Sequence, residues 1–322
     1  MAHITFVHGI LNKPPKDALL NIWNDALASG DTGIDLGANG VSTSMVYWAD
    51  VLYAQPDQVA GHESADAVPE SRATDVPFSW LAGAGARERD FVNRVATRLE
   101  GKLEAVPSPA QAIPKLAVAT GVQLERVPLP WDIKRKVMES LLRDVHHYLF
   151  NSTSTPRPGE SYQVQDEIRK RFVADLKATK PATGPHIVVS HSMGTVISYD
   201  CLKRVPGCPS IDALLTLGSP LGIDEVRDLL QPGWTPNTPP VAGWSPVDAF
   251  PIPNVQGAWA NIYDWLDPVD ATAPELAALY MKQGQSVVED ISVSNAGWWR
   301  HDLTKYFGQA ALRQQLATLL GI

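Results

Sequence analysis

"HIVVSHSMGTVIS", residues 186–198, decides the fold. A short apolar run, bounded at both ends by turn residues, reads as a buried strand. It stops at Ser190-His191-Ser192-Met193-Gly194 and passes at once into a segment with helical character. A chain that turns so sharply needs small residues two positions either side of the turn, and Ser190 and Gly194 meet that demand around Ser192. In the familiar G-x-S-x-G form of such a turn a glycine stands where this chain has Ser190. The turn lifts the Ser192 hydroxyl above the sheet, while the new helix aims its first N–H groups and its positive dipole end at the same place. Alone, a Ser-x-Gly at a strand–helix turn reads as structural. Its context decides whether Ser192 is a nucleophile.

Composition sets the bounds of that context. The chain has 322 residues, 44% of them hydrophobic, which suits one α/β unit with a real core and an insertion. The net charge of −8 and the lack of a basic run argue against nucleic-acid binding. Two cysteines, Cys201 and Cys208, make no disulfide framework and read as free thiols of a reducing compartment, with one local bridge as the alternative. "MAHITFVHGI" has neither a basic n-region nor a long apolar h-region, so a signal peptide is not expected. No run of about 18 apolar residues occurs, so no membrane span is expected. The expected setting is the cytoplasm.

Outward from residue 192, strands alternate with helices. "ITFVHG" (4–9) reads as a strand, "KDALLNIWNDALASG" as a helix stopped by Gly30, and "STSMVYWADVLY" (42–53) as a second strand. The rhythm resumes with a helical stripe of Val164, Ile168, Phe172 and Leu176 and the strand 186–190. A helix over about 194–204 follows, then strands at 211–218, 259–265 and 286–294 and a last helix carrying Leu312, Leu316 and Leu320. Such alternation predicts a mostly parallel, doubly wound sheet with helices on both faces. Residues 55–160 break the rhythm. They hold two amphipathic helices, with Phe91, Val95, Leu99 and Leu103 on one and Ile133, Val137, Leu141 and Val145 on the other. This block is expected to be a mainly helical cap or lid inserted into a single domain spanning 1–322. The segment 231–256 is Pro-rich, carries Trp234, Trp244 and Phe250, and reads as a long ordered loop.

Four stretches share one resemblance: "VHGI" (7–10), "SHSMGT" (190–195), "TLGSPL" (216–221) and "NIYDWLDPVD" (261–270). They resemble, in turn, the His-Gly oxyanion motif, the nucleophile elbow, the Gly-Ser/Thr-Pro stretch and the Asp-Pro-Val acid segment of the α/β-hydrolase superfamily, in its lipase/esterase branch. Two departures stand out. Ser190 replaces a glycine or alanine, and the chain starts at the His-Gly strand, so the two leading antiparallel strands of larger members are expected to be missing.

The resemblance implies a serine nucleophile, Ser192, with a base and an acid following it in the order Ser…Asp/Glu…His. Of eight histidines only His301 lies after Ser192, in "NAGWWRHDL", between the last strand and the last helix. Asp264, Asp267 and Asp270 compete for the acid. Asp267 is chosen because it follows the strand by two residues and Pro268 fixes the turn that presents it. The Ile10 and Met193 N–H groups are the expected oxyanion donors, and Gly9 lets the backbone come close. His8 and Gly9 of that loop, together with Trp234, Trp244 and Trp298, are the candidate substrate contacts.

Each motif has a plainer reading: an Asp-Pro turn, a solvated loop histidine, aromatics that only close a core. Their order and spacing together favour catalysis. The chemistry implied is hydrolysis of a small-molecule or lipid acyl ester through an acyl-enzyme, with no cofactor and no metal. Acyl transfer, thioester or amide cleavage by the same triad is the alternative, and a catalytically silent binding protein is the competing class. A cap of this kind leaves transient contact with a lipid surface open. The sequence leaves the oligomeric state open.

Overall fold

The computed structural model describes residues 1–57, 79–105, 131–230, 254–270, 275–297 and 299–322. In chain order the elements begin with β1 (His3–Val7), α1 (Lys16–Ala28), β2 (Ser42–Val46), α2 (Ala49–Leu52), α3 (Ala86–Ala105) and α4 (Trp131–Leu149). A two-residue pair, β3 (Thr153–Ser154) and β4 (Tyr162–Gln163), precedes α5 (Val164–Thr179), β5 (His186–His191), α6 (Met193–Arg204), β6 (Ala213–Leu217), α7 (Asp224–Leu229) and β7 (Trp259–Tyr263). A second short pair, β8 (Met281–Lys282) and β9 (Gln285–Ser286), leads to β10 (Glu289–Ser292), α8 (Leu303–Phe307) and α9 (Ala310–Leu320).

Six strands form one sheet in the order β10-β7-β6-β5-β1-β2. Every pairing in it is parallel. The three central strands β1, β5 and β6, and β7 beside them, are buried along their whole length, because helices cover both faces. Alternation sends successive residues to opposite layers. Val188 joins a core with Phe91, Leu142, Phe172 and Val196, whereas Ile187 and Val189 join one with Trp23, Phe307 and Leu316. Thus α3 to α7 pack on one face and α1, α8 and α9 on the other.

Strand order reverses between β1 and β5: β2 lies on one side of β1 and the later strands build on the other. In parallel sheets ligands bind beyond the carboxyl ends of the strands at such a switch point. The loops after β1 and β5, which carry Gly9 and Ser192, meet there.

Two predicted strands are shorter than expected. The segment 42–53 divides into β2 and the helical turn α2, because the Trp48 N–H donates to His8 Nε2 (3.0 Å) and Tyr53 N–H to the Ala49 carbonyl (2.9 Å). The segment 286–294 keeps only β10 in the sheet. The Ser286 hydroxyl donates to the Val288 carbonyl (2.7 Å) and accepts from the Val288 N–H (3.1 Å), which makes a local turn instead. Leu99, Leu103, Ile133 and Val137 have side chains outside the described set. Phe91, Val95, Leu141 and Val145 are buried, as the two stripes predict. Cys201 and Cys208 are buried free thiols. Among the described residues no helix is long and apolar enough to cross a membrane.

Candidate functional site

Ser192 directly follows β5 and is the N-cap of α6, with φ 54° and ψ −128°. That is left-handed backbone, costly for a residue with a Cβ, and it persists only when neighbours enforce it. They do so here. The Ser192 N–H donates to the Leu217 carbonyl at the end of β6 (2.9 Å), and its own carbonyl accepts from the Thr195 N–H (3.0 Å) and hydroxyl (2.7 Å). Thr195 also bonds to the Ser219 hydroxyl (2.8 Å), tying the turn to "TLGSPL". A Cβ on Gly194 would meet the Val7 carbonyl oxygen at 2.3 Å, so this position must be glycine. Ser190 tolerates a side chain: its buried hydroxyl donates to the Leu215 carbonyl (3.2 Å).

The β1 loop closes against this turn. A Cβ on Gly9 would lie 2.8 Å from the Ser192 Cβ, which is why only glycine allows the approach. His8 is buried and stacked on Trp48, with ring centroids 4.6 Å apart. Its Nε2 accepts from the Trp48 N–H, so Nδ1 carries the proton and donates to the Gly9 carbonyl (2.8 Å). A trans peptide points its C=O and N–H in opposite directions. Holding the Gly9 carbonyl therefore orients the Ile10 N–H. Met193, as the first residue of α6, has an N–H with no acceptor inside its helix. Ile10 and Met193 line a narrow apolar pocket together with Ser192. Val95 of α3, Leu141 and Val145 of α4, Pro220, Ile223, Val226 and Val269 complete its wall.

Asp267 and His301 are also brought together. The His301 Nδ1–H donates to Asp267 Oδ2 at 2.8 Å, and both side chains are buried. Asp267 Oδ1 accepts from the Val269 N–H (2.8 Å), and Tyr306 of α8 donates its hydroxyl to Oδ2 (2.7 Å). Burial acts to raise the Asp267 carboxyl, but the His301 interaction and these hydrogen bonds outweigh it and hold the group below its usual range. His301 sits beside the Ser192 turn. Its ring lies 4.6 Å from that of His191, whose Nε2–H donates to the His301 carbonyl (2.9 Å). A Cβ on Gly218, at φ +54°, would lie 3.0 Å from both Asp267 and His301. His301 Nε2 is buried and has no hydrogen-bond partner among the described residues, so the Ser192 hydroxyl is not bonded to it here.

The other two aspartates of the segment do different work. Asp264 organises loops, accepting from the Leu266 N–H (2.9 Å), the Asn295 N–H (2.6 Å) and Arg300 (3.1 Å). Asp270 accepts from the Asp264 N–H (3.2 Å) and touches the Tyr306 hydroxyl (3.2 Å). Burial, and then the Asp267 charge, push its carboxyl well above the usual range and favour its neutral form. Nothing in the sequence singles out Tyr306, which reads as one more core aromatic. Gly218, read from the sequence as the last residue of the strand 211–218, directly follows β6. Trp234, Trp244 and Trp298 lie outside the described residues. Trp299, beside the last of them, packs edge-on against His301 at 5.9 Å. Among the described residues no group of three or more His, Cys, Asp or Glu side chains is placed to hold a metal ion.

No protein-family model and no curated protein matches this chain. Among solved structures it is similar to an uncharacterized protein from Pseudomonas aeruginosa, at 12% identity and a TM-score of 0.27. That match covers 91% of this chain and 40% of the other, so this chain spans well under half the length of that neighbour.

Proposed function

We propose that the chain is a serine hydrolase of the α/β-hydrolase type that cleaves carboxylic esters with apolar acyl groups. The observation that carries this reading is the Asp267–His301 pair set beside a serine held at φ 54° on a strand–helix turn. Because His301 Nδ1 is the donor to Asp267, the neutral ring presents Nε2 as a base. The Ser192 oxygen attacks the acyl carbon as His301 Nε2 takes its proton. Asp267 orients the ring and stabilises its cation. The Ile10 and Met193 N–H groups receive the oxyanion. His301 then protonates the leaving alkoxide, and a water activated by the same nitrogen releases the acid and frees Ser192. The Ser192–His301 hydrogen bond forms as substrate seats, since such contacts are often long in unliganded enzymes.

The apolar pocket supports an acyl chain rather than a charged group, and we assign α3 and α4 the role of a cap over it. Two buried free thiols agree with a reducing, cytoplasmic setting. A fluorophosphonate probe followed by peptide mapping tests the reading: labelling at Ser192 is expected. Hydrolysis of p-nitrophenyl esters of graded chain length, with an anilide alongside, then separates esterase from amidase. No labelling, and no turnover of any ester, would leave a binding protein on the same fold.

A further inference from the structure

We infer that Asp144 is a positioning residue for the reaction proposed above: from α4, a helix of the acyl pocket's wall, it sets the shape of the oxyanion loop. The inference rests on that proposed reaction and begins at Leu11. Leu11 directly follows Ile10 and has φ 70°, a conformation that a leucine adopts only under constraint. Its N–H donates to Asp144 Oδ2 at 2.9 Å. The Ile10 backbone is thus held on both sides. His8 fixes the preceding peptide through the Gly9 carbonyl, and Asp144 fixes the following one through the Leu11 N–H.

Asp144 is itself anchored and fully buried. The Tyr53 hydroxyl donates to its Oδ2 (2.8 Å), and Arg143 donates to Oδ1 from Nε (3.2 Å) and Nη2 (3.1 Å). Arg143 also lies over the Tyr53 ring, 5.0 Å from its centroid. A buried carboxylate with this many partners is rigid, and a charge-assisted N–H···O⁻ bond is among the stronger ones. The same helix turns Leu141 and Val145, the neighbours at −3 and +1, into the pocket with Ser192 and Met193. Seating α4 therefore forms the acyl wall and fixes the donor loop in one step.

The test compares wild type, Asp144→Ala and Asp144→Asn on p-nitrophenyl butyrate, with hydrogen exchange at the Ile10 and Leu11 amides. Asp144→Ala is expected to lower kcat by about tenfold or more with KM changed far less, the signature of a donor lost from the transition state. Asp144→Asn keeps an acceptor for the Leu11 N–H and is expected to recover most of that loss. Exchange at Ile10 and Leu11 should quicken in the alanine variant while α9 is unchanged. Wild-type kcat in Asp144→Ala, or equal damage in both variants, overturns the inference. If the alanine variant does not fold, Tyr53→Phe should show the same effects at smaller size; unchanged kcat and exchange there overturn it as well. A wild type that neither turns over nor labels defeats the esterase reading instead, and amide exchange then decides by itself whether Asp144 sets this loop.

Discussion

Two serines two positions apart have opposite expected roles. Ser190 gives its hydroxyl to a backbone carbonyl inside the sheet, whereas Ser192 stands on strained backbone at the pocket. Ser192→Ala should abolish ester turnover. Ser190→Ala should keep most of it and cost about 1 kcal/mol of stability; an inactive Ser190→Ala with an active Ser192→Ala would reverse the assignment. The aspartates divide in the same way. Asp267→Asn should reduce kcat by orders of magnitude, because the amide no longer holds the required tautomer. Asp270→Asn should not, since the His301 ring bonds to Asp267, while Asp270 bonds to the Asp264 N–H and the Tyr306 hydroxyl. Its pH signature is specific. Unfolded Asp titrates near about 3.9, so the folded chain keeps a proton on Asp270 that the unfolded chain loses. That contribution is fully present below about pH 4 and fades as pH rises towards the raised folded value, at up to ~1.4 kcal/mol per pH unit. Urea denaturation at pH 5 and pH 8 should therefore show Asp270→Asn gaining on wild type at the higher pH. An equal difference at both would mean that Asp270 is ionised throughout.

At the scale of elements, the proposed reaction assigns acyl selectivity to α4. Val145 and Leu141 reach the pocket from one face of one helix. Val145→Phe should narrow the pocket and shift preference among p-nitrophenyl esters towards shorter acyl chains. Leu141→Ala should widen it and favour longer ones, at a stability cost of about 2–5 kcal/mol for the buried truncation. Chain-length profiles that superimpose on wild type in both variants would move the acyl site elsewhere. Gly218→Ala belongs here too, because this glycine spaces the β6 loop from the β7 and α8 loops. A methyl there would press on Asp267 and His301 and require φ +54° of an alanine. Loss of kcat with little change in the far-ultraviolet circular dichroism is expected.

Across the whole molecule, the sheet is held between two apolar layers, and the candidate site sits where its strands end. Phe172 on α5 is buried against the layer that also holds Phe91 and Leu142. Phe172→Ala should cost about 3–5 kcal/mol, read as a lower Tm, and reduce activity only through the unfolded fraction. With Cys201 and Cys208 both free, a thiol reductant should leave the Tm unchanged. A fall in Tm on reduction would reveal a bridge.

What the sequence determined was periodic or ordered along the chain. The apolar runs at 4–7, 187–189 and 213–217 demand burial on both faces, and the stripe Val164–Ile168–Phe172–Leu176 demands one. Only one histidine follows Ser192, so the order of the triad candidates was legible without coordinates. What the tertiary structure decided was which distant groups touch. That His301 bonds to Asp267 is a 2.8 Å contact across a gap of 34 residues. The end of β2 depends on His8, 40 residues earlier, which takes the Trp48 N–H. Tyr306, Gly218 and Asp144 gain their places only through packing, because periodicity records whether a side chain is buried and not what it meets there.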